Sequence, residues 1–205
     1  MKQTSIIYIV GPPGVGKYSL GRFLERRANY ELVDNHRWLN PILSLVEEDG
    51  VSPLPPEVFI LAEVVRNAIF SGIKNLSPED RSYVVTNSTV NEAYAAKVFN
   101  DTREVATHLG ALLLVVRLAC QDPDELARRV SAPERRALLK SANVLEARKN
   151  ALLPLPDLGH PYTITIETSK LSTLEVAQRL VGALKDFPEL NGVRWPELAG
   201  TQFYS

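Results

Sequence analysis

A glycine-rich segment near the amino terminus constrains the fold of this chain more than any other feature. Residues 11–17 read Gly-Pro-Pro-Gly-Val-Gly-Lys and fit the pattern G-x-x-x-x-G-K, between an apolar run at residues 5–10 and a helical pattern from residue 19. In this context glycines let the backbone curl so that its N–H groups face phosphate oxygens, and the helix start adds partial positive charge. The segment predicts a phosphate-binding loop in which Lys17 reaches the β- and γ-phosphates of a nucleotide.

One position departs from the usual form of this motif. Tyr18 follows Lys17 where a short hydroxyl for magnesium is expected, and a hydroxyl comes one residue later as Ser19. A phenol cannot easily replace a short hydroxyl beside a metal, so we expect Mg²⁺ to be held mostly through water and nucleotide oxygens, with Ser19 as its candidate protein ligand. The residues of this segment predicted to bind the nucleotide are Gly11, Gly14, Val15, Gly16, Lys17, Tyr18 and Ser19.

Short apolar runs alternate with longer helical patterns along the chain. The predicted strands are residues 5–10, 31–34, 83–86, 111–118 and 163–167. The predicted helices are residues 19–28, 57–73, 91–109, 123–130, 134–152 and 173–184. Such alternation is typical of a parallel sheet covered by helices on both faces. We therefore predict an α/β domain with three layers, α/β/α.

Two stretches interrupt the alternation. Residues 49–56 contain three prolines and one glycine, which excludes a helix or a central strand and leaves either a functional loop or a plain surface loop. Residues 186–205 carry aromatic side chains without helical periodicity. We predict a carboxyl-terminal tail there, which lies across the body of the protein or pairs with another chain.

Composition bounds the setting in which the chain works. Its 205 residues suit one sizeable domain, and the net charge of −1 gives no broad positive field for nucleic acid or a membrane surface. A single cysteine, Cys120, excludes an internal disulfide, and no apolar run reaches the length of a membrane span. No signal peptide is evident at the start. We expect a cytoplasmic protein, either a monomer or a homodimer, with no membrane or nucleic-acid partner.

The ends of the predicted strands separate the classes of nucleotide-binding protein. A motor ATPase or a GTPase normally has an apolar strand that ends in a metal-binding Asp, but the third and fourth strands run into Asn87 and Ala119. The second strand does end in an acid, Asp34, followed by Asn35 and His36. In a doubly wound sheet this places Asp34 at the carboxyl edge, beside the crevice where ligands bind.

The chain resembles the small-molecule and nucleoside-monophosphate kinases of the P-loop class, among them shikimate kinase, adenylate kinase and chloramphenicol phosphotransferase, and most closely bacterial ATP-binding kinase-like proteins. The resemblance spans residues 5–184 and depends on residues 11–17, 33–36, 124–130 and 168–172. It implies a five-stranded parallel sheet of strand order 2-3-1-4-5 with a helical lid. It also implies a domain over residues 1–185, with the lid at about residues 128–150 and an acceptor-side region at about residues 37–73.

The resemblance also implies roles for individual residues. Asp34 lies where relatives carry an Asp that contacts the acceptor hydroxyl and serves as base, and phosphoryl transfer needs such positioning more than covalent help. His36 and Arg66 are further candidates for acceptor binding, Arg66 for an acidic acceptor. Thr168 and Lys170 resemble the loop that borders the adenine.

A dense set of cations follows the fourth strand, in the place of the lid. Arginine grips phosphate bidentately, and closing such a flap excludes water and neutralises charge on the transferring group. Arg129 and Arg136 are the candidates for this catalytic work together with Lys17, although a solvated helix face would also carry such residues.

These features predict an ATP- and Mg²⁺-dependent kinase that phosphorylates a small-molecule hydroxyl or phosphate acceptor. Tyr18 and the missing acid after the third strand keep open a nucleotide-binding regulatory protein or slow ATPase. A kinase for nucleic-acid 5′ ends is disfavoured by the near-neutral charge. His108 and His160 lie in no metal-binding cluster of the sequence.

Overall fold

Five parallel strands form the centre of the protein. A computed structural model describes residues 4–28, 30–46, 49–89, 91–133, 135 and 138–187. The strands are β1 (Ser5–Gly11), β2 (Tyr30–Val33), β3 (Ser82–Ser88), β4 (Leu112–Ala119) and β5 (Thr163–Glu167). They lie in the order β2-β3-β1-β4-β5 and every neighbouring pair is parallel, which confirms the predicted sheet.

Helices cover both faces of this sheet. In the described ranges they are α1 (Lys17–Ala28), α2 (His36–Leu43), α3 (Pro56–Leu76), α4 (Glu92–His108), α5 (Pro123–Val130), α6 (Val144–Leu152) and α7 (Thr173–Ala183). Ile7 and Ile9 of β1 point into a core formed with α1, α5, α6 and α7. Ile6 and Tyr8 point into the opposite core, formed with α2, α3 and α4. The predicted three-layer α/β/α architecture is therefore confirmed.

Side chains that cap the backbone fix where several helices begin. Asp122 Oδ1 accepts hydrogen bonds from the N–H groups of Asp124 and Glu125, and Pro123 occupies the first turn of α5. Ser172 and Glu175 form a capping box at α7. Because α5 and α7 each follow a strand that ends at the same sheet edge, these caps fix the loops that surround the site.

Two helical predictions differ from the structure. Helix α2 was not predicted, because Pro41 lies inside it and the residues after Asp34 have the composition of a loop. A single helix over residues 134–152 is wrong in its described part: residues 138–143 form turns and coil, Leu139 has a φ of 52°, and α6 begins only after Asn143.

Part of the chain lies outside the described residues. This applies to Arg136 and to the predicted tail beyond residue 187. Within the described ranges, none of the helices combines the length and the apolar character needed to cross a bilayer.

Candidate active site

A cavity of about 1270 Å³ opens at the carboxyl ends of β1, β2 and β3. The phosphate-loop residues Gly14 to Ser19 line one side of it, and Asp34 lies at the junction with the acceptor-side region. Residues 168–173 and the segment predicted as a lid complete the walls. The parallel sheet thus gathers onto one edge the loop and the carboxylate that the sequence places far apart.

The phosphate loop needs its glycines for two different reasons. Gly14 and Gly16 have φ values of 91° and 99°, a region that side chains with a Cβ rarely adopt. A Cβ on Gly14 would also lie 2.8 Å from Val130 Cγ2 and 2.9 Å from Leu126 Cδ1. The glycine therefore allows α5, which carries Arg128 and Arg129, to pack directly on the loop.

Lys17 lies inside the loop. Its Nζ donates hydrogen bonds to the carbonyl oxygens of Gly11 and Pro12, at 2.7 and 2.9 Å. Burial lowers the pKa of this ammonium group to about 7, and Asp34 opposes the shift. A polyphosphate in the cavity would favour the charged form, so Lys17 is suited to bind one.

Asp34 is buried at the end of β2 and held on both oxygens. Its Oδ2 accepts a hydrogen bond from Thr86 Oγ1 at 2.7 Å, and its Oδ1 accepts one from the His36 N–H at 3.1 Å. Val33 pairs with Val85 in the parallel register, which sets Thr86 beside Asp34. Thr86 was missed by the sequence analysis, although its position at the end of the strand adjacent to β2 was available as a signal.

His36 begins helix α2 and lines the cavity. Its Nδ1 lies 2.8 Å from Asn40 Oδ1, which places a proton on Nδ1 and leaves Nε2 as the acceptor of a neutral ring. Burial lowers the pKa of His36, with Asp34 acting in the opposite direction. At neutral pH this side chain contributes a hydrogen-bonding group to the cavity and no charge.

Tyr18 contacts a lysine that the sequence analysis did not single out as a site residue. The Nζ of Lys140 lies 3.8 Å from the centroid of the Tyr18 ring, and both residues line the cavity. Burial lowers the pKa of Lys140, while Asp34 raises it. The ring of Tyr18 therefore holds Lys140 over the phosphate loop. Lys140 belongs to residues 138–143, which lie in the region predicted as a lid and which we call the lid segment.

Arg129 joins helix α5 to the loop after β5. Its Nη2 donates to the carbonyls of Thr168 and Ser169 at 2.7 and 3.2 Å, and its Nε donates to Glu125 at 2.7 Å. Thr168 Oγ1 lies 2.8 Å from the carbonyl oxygen of Ala119 and 3.2 Å from that of Val15. Arg129 and Thr168 thus tie the loop after β5 to the phosphate loop, and Lys170 lines the cavity nearby.

The lid segment also reaches the opposite side of the cavity. The Ala142 N–H donates to the Gly50 carbonyl at 2.7 Å, and Asn143 Nδ2 donates to the Val51 carbonyl at 3.0 Å. Asp49 Oδ1 accepts hydrogen bonds from the N–H groups of Val51 and Ser52, at 2.8 and 2.7 Å, which orders residues 49–52. The same hydrogen bonds lower the pKa of the Asp49 carboxyl group to about 2. The proline-containing stretch therefore contacts the segment predicted as a lid.

Arg66 does not reach the cavity in this structure. It is fully buried, its Nη2 lies 2.6 Å from Asp101 Oδ2, and its guanidinium carbon lies 5.3 Å from the centroid of the Tyr94 ring. Tyr94 lines the cavity and Arg66 packs behind it. The predicted contact of Arg66 with an acceptor would require Tyr94 to move.

The site fits a magnesium ion that is held mainly by its substrate. Within the described ranges no group of three or more His, Cys, Asp or Glu side chains could hold a metal. Ser19 lines the cavity two residues after Lys17, and Asp34 lies across from it. A hydroxyl, a carboxylate and nucleotide oxygens are the hard ligands that Mg²⁺ prefers.

Together the sheet order and the loop at its edge define the fold of the P-loop kinases. A gluconokinase from Sinorhizobium meliloti 1021 superposes with a TM-score of 0.57 at 16% identity, over 92% of this chain and 95% of its own. A sugar kinase from Janibacter sp. HTCC2649 gives 0.58 and 16%, over 91% and 98%. The shikimate kinase from Acinetobacter baumannii, solved with shikimate, gives 0.57 and 22%, over 90% and 95%.

At these identities the similarity establishes the fold. No protein-family model matches the chain, and no curated protein is detectably similar to it in sequence. The fold confirms the resemblance to P-loop small-molecule and nucleoside kinases on which the sequence analysis relied. The similarity therefore assigns no role to individual residues of the cavity.

Proposed function

We propose that the chain is a phosphotransferase that moves the γ-phosphate of ATP, with Mg²⁺, onto the hydroxyl of a small molecule. The observation that carries the proposal is the shared cavity: the phosphate loop with Lys17 and the buried carboxyl group of Asp34 line it together. Hydrogen bonds to both oxygens hold the Asp34 carboxyl group at this cavity, as expected of a group that aligns an acceptor hydroxyl. ATP as the donor fits the cytoplasmic location predicted from the sequence.

In the proposed reaction Asp34 aligns the acceptor hydroxyl and takes its proton. A bond forms between the acceptor oxygen and the γ-phosphorus, and the bond from that phosphorus to the β–γ bridging oxygen breaks, leaving ADP. Lys17, and Lys140 held by Tyr18, neutralise charge on the phosphates. Ser19 would help to hold a magnesium ion that enters with the nucleotide, and that ion would supply further positive charge against the phosphates.

The substitution Asp34→Asn tests this proposal. Asparagine keeps the size of the side chain and an oxygen for Thr86, but it cannot take a proton, so we expect kcat to fall by about 10²- to 10⁴-fold. The Kd for ATP should change far less than kcat, because Asp34 lies outside the phosphate loop and acts on Lys17 only through its charge. Transfer is measured as ADP release stimulated by acceptor, and Asp80→Asn, at an exposed acid outside the cavity lining, is the control.

A second candidate is a nucleotide-binding regulatory protein or slow ATPase. It is favoured by Tyr18 in place of a metal-binding hydroxyl and by Asn87, an amide, at the end of β3. Such a protein would bind ATP but release ADP at a rate that no acceptor increases, and Asp34→Asn would leave that rate unchanged. The same measurement therefore separates the two functions.

A further inference from the structure

One half of the cavity lies on the far side of Asp34 from the phosphate loop, and its walls are mostly apolar or uncharged. We call it the acceptor compartment; it is lined by the end of β2, helix α2, residues 50–54, Phe59 of α3, the end of β3 and the start of α4. We infer that it takes an uncharged alcohol whose body is an aromatic or aliphatic ring. The inference rests on the proposed phosphotransfer and names the class of its acceptor.

Apolar side chains supply much of the surface of the compartment. Leu39, Leu43 and Leu54 line it together with Phe59 and Tyr94. The rings of Phe59 and Tyr94 lie with centroids 5.4 Å apart and planes tilted by 59°. Such a wall gains free energy by removing apolar ligand surface from water, and aromatic faces orient a ring by offset or edge contacts.

The charges of the compartment disfavour an anionic acceptor. Among the described residues that line it, Asp34 and His36 are the only acidic or basic side chains apart from the Tyr94 phenol. His36 carries no charge at neutral pH, since burial lowers its pKa. A carboxylate or phosphate held against these walls would lose water beside the Asp34 carboxyl group, and no cationic side chain of these elements would pair with it, which is costly in a buried site.

The nearest lysines face the phosphate loop and not the compartment. Lys17 Nζ is bound to the Gly11 and Pro12 carbonyls, and Lys140 Nζ lies over the ring of Tyr18. Both positions suit the phosphates of the nucleotide. Both lysines interact electrostatically with Asp34 and His36. Arg135 also lines the cavity; its Nε donates to the Ser141 carbonyl at 3.0 Å, and it interacts with Lys17 and Lys140. These cations therefore cluster at the phosphate loop and belong to none of the elements that form the compartment.

Arg66 is the one cation of α3 directly behind the wall, and its contacts keep it there. Its ion pair with Asp101 and its stacking on Tyr94 hold the guanidinium in place. Tyr94 is fixed in turn, because its hydroxyl accepts a hydrogen bond from Trp38 Nε1 at 3.1 Å. Arg66 Nε and Nη1 have no hydrogen-bond partner among the described residues. Because Tyr94 lies between them and the cavity, an anion would reach these atoms only if the Tyr94 ring moved.

Uncharged polar groups complete the compartment. Asn35, Asn87 and Asn91 line it, and Asn87 is fixed by donating to Tyr8 OH at 3.2 Å. Amides can pair with hydroxyl or carbonyl groups of a neutral molecule on either the donor or the acceptor side. They therefore suit a ring that carries further uncharged polar substituents.

Matched acceptors that differ only in charge test the inference. Purified full-length protein is given ATP and Mg²⁺ with 4-(hydroxymethyl)benzamide or 4-(hydroxymethyl)benzoate, and with thymidine or thymidine 5′-monophosphate, and phosphorylated product is measured by mass spectrometry. Binding of each molecule at millimolar concentration is measured by thermal shift in the presence of a non-hydrolysable ATP analogue. We expect the neutral member of each pair to be favoured on the order of tenfold in kcat/KM and to give the larger shift.

If these residues do form the acceptor site, a variant that adds a positive charge to its wall should favour the anionic acceptor over the neutral one. Leu54→Arg adds a cation to the wall and should move the preference toward 4-(hydroxymethyl)benzoate by about tenfold. Leu145→Arg makes the same change at a side chain that is 74% exposed and outside the cavity lining, and should leave the preference unchanged.

The outcomes also separate this inference from the proposed function. Preference of the unchanged protein for the anionic members would overturn the inference while leaving the phosphotransferase intact, and would indicate that Tyr94 yields to expose Arg66. No effect of either neutral molecule in both measurements would overturn it as well. Failure of the ATP analogue to stabilise the protein would instead remove the proposed function itself.

Discussion

At the scale of single residues, we expect Lys17 to couple nucleotide binding to proton uptake. Burial holds its pKa at about 7, far below the value of an exposed lysine, while polyphosphate favours the charged form. Above pH 7 the free protein therefore carries a largely neutral Lys17 that must take up a proton when ATP binds. The affinity for ATP should fall as pH rises from 7 to about 9, by up to about tenfold per pH unit.

Calorimetry at pH 8 in two buffers of different ionisation enthalpy measures this proton uptake directly. The variant Lys17→Met should bind ATP more weakly and show the uptake no longer. Equal binding enthalpies for the unchanged protein in the two buffers would contradict the assignment.

Tyr18 is the residue at which this chain departs most visibly from the usual motif, and its ring gives it a role of its own. A cation–π contact at a partly exposed site is worth about 0.5–1 kcal/mol, so Tyr18→Leu should lower kcat/KM about two- to fivefold by releasing Lys140. Tyr18→Phe keeps the ring and should retain the activity. Steady-state kinetics with varied ATP measures both.

The variant Tyr18→Ser tests the opposite hypothesis, that a short hydroxyl matters more than a ring at this position. It restores the short hydroxyl at the place where the motif usually has one, but it removes the ring. If Tyr18→Ser had higher activity than the unchanged protein at low Mg²⁺, the contact with Lys140 would not be what this position contributes.

At the scale of elements, the pairing of α3 with α4 depends on a buried charge. Arg66 is fully buried with Asp101 as its carboxylate partner, whereas Glu63 and Lys97 form a more exposed pair between the same two helices. Asp101→Asn leaves a buried guanidinium without a counterion and should lower the free energy of unfolding by about 2–4 kcal/mol. Glu63→Gln should cost less than about 1 kcal/mol.

Urea denaturation of both variants measures the difference, and the double variant Arg66→Met, Asp101→Asn adds a further check. Because the double variant removes the buried charge as well as its partner, it should recover part of the stability lost in Asp101→Asn. If both single variants had equal cost, burial of Arg66 would not govern the contact between these helices.

The strands and helices also show which parts of the fold a local sequence pattern can predict. All five strands were predicted within two residues at each end, because their apolar runs are short, rich in β-branched residues and separated by clear breaks. Helix α2 was missed because Pro41 lies inside it, although Trp38, Leu39, Ile42 and Leu43 follow helical spacing. Packing of Trp38, Leu39 and Leu43 in the same core as α3 stabilises the helix despite the proline, and this packing is not visible in a local pattern.

The same contrast applies to the residues of the site. Lys17 and Asp34 were predicted because a motif or a strand end marks them. Lys140 was only one cation among several, and its place over Tyr18 depends on the turn at Leu139, which has a φ of 52°. Prediction of Thr86 would have required the register between β2 and β3, since the pairing of Val33 with Val85 brings Thr86 beside Asp34.

At the scale of the whole molecule, the lid segment connects the two halves of the cavity. Residue 140 contacts the phosphate loop, while Ala142 and Asn143 are hydrogen-bonded to Gly50 and Val51 on the acceptor side. We therefore expect a nucleotide that draws this segment onto the phosphate loop to order residues 49–54 as well. These contacts would couple binding at one half of the cavity to the other half.

We expect a non-hydrolysable ATP analogue to protect residues 49–54 from hydrogen exchange, although its phosphates bind elsewhere. Asn143→Asp should weaken this protection about fivefold, because the variant loses the amide that donates to the Val51 carbonyl, a bond worth about 1 kcal/mol. The carboxylate can still cap α6 by accepting from the Glu146 N–H, so the helix itself should persist. Asn75→Asp makes the same chemical change on the exposed surface of α3 and should leave the protection intact. Exchange measured by mass spectrometry with and without the analogue decides the matter: unchanged protection in Asn143→Asp would mean that the two halves of the cavity are ordered independently.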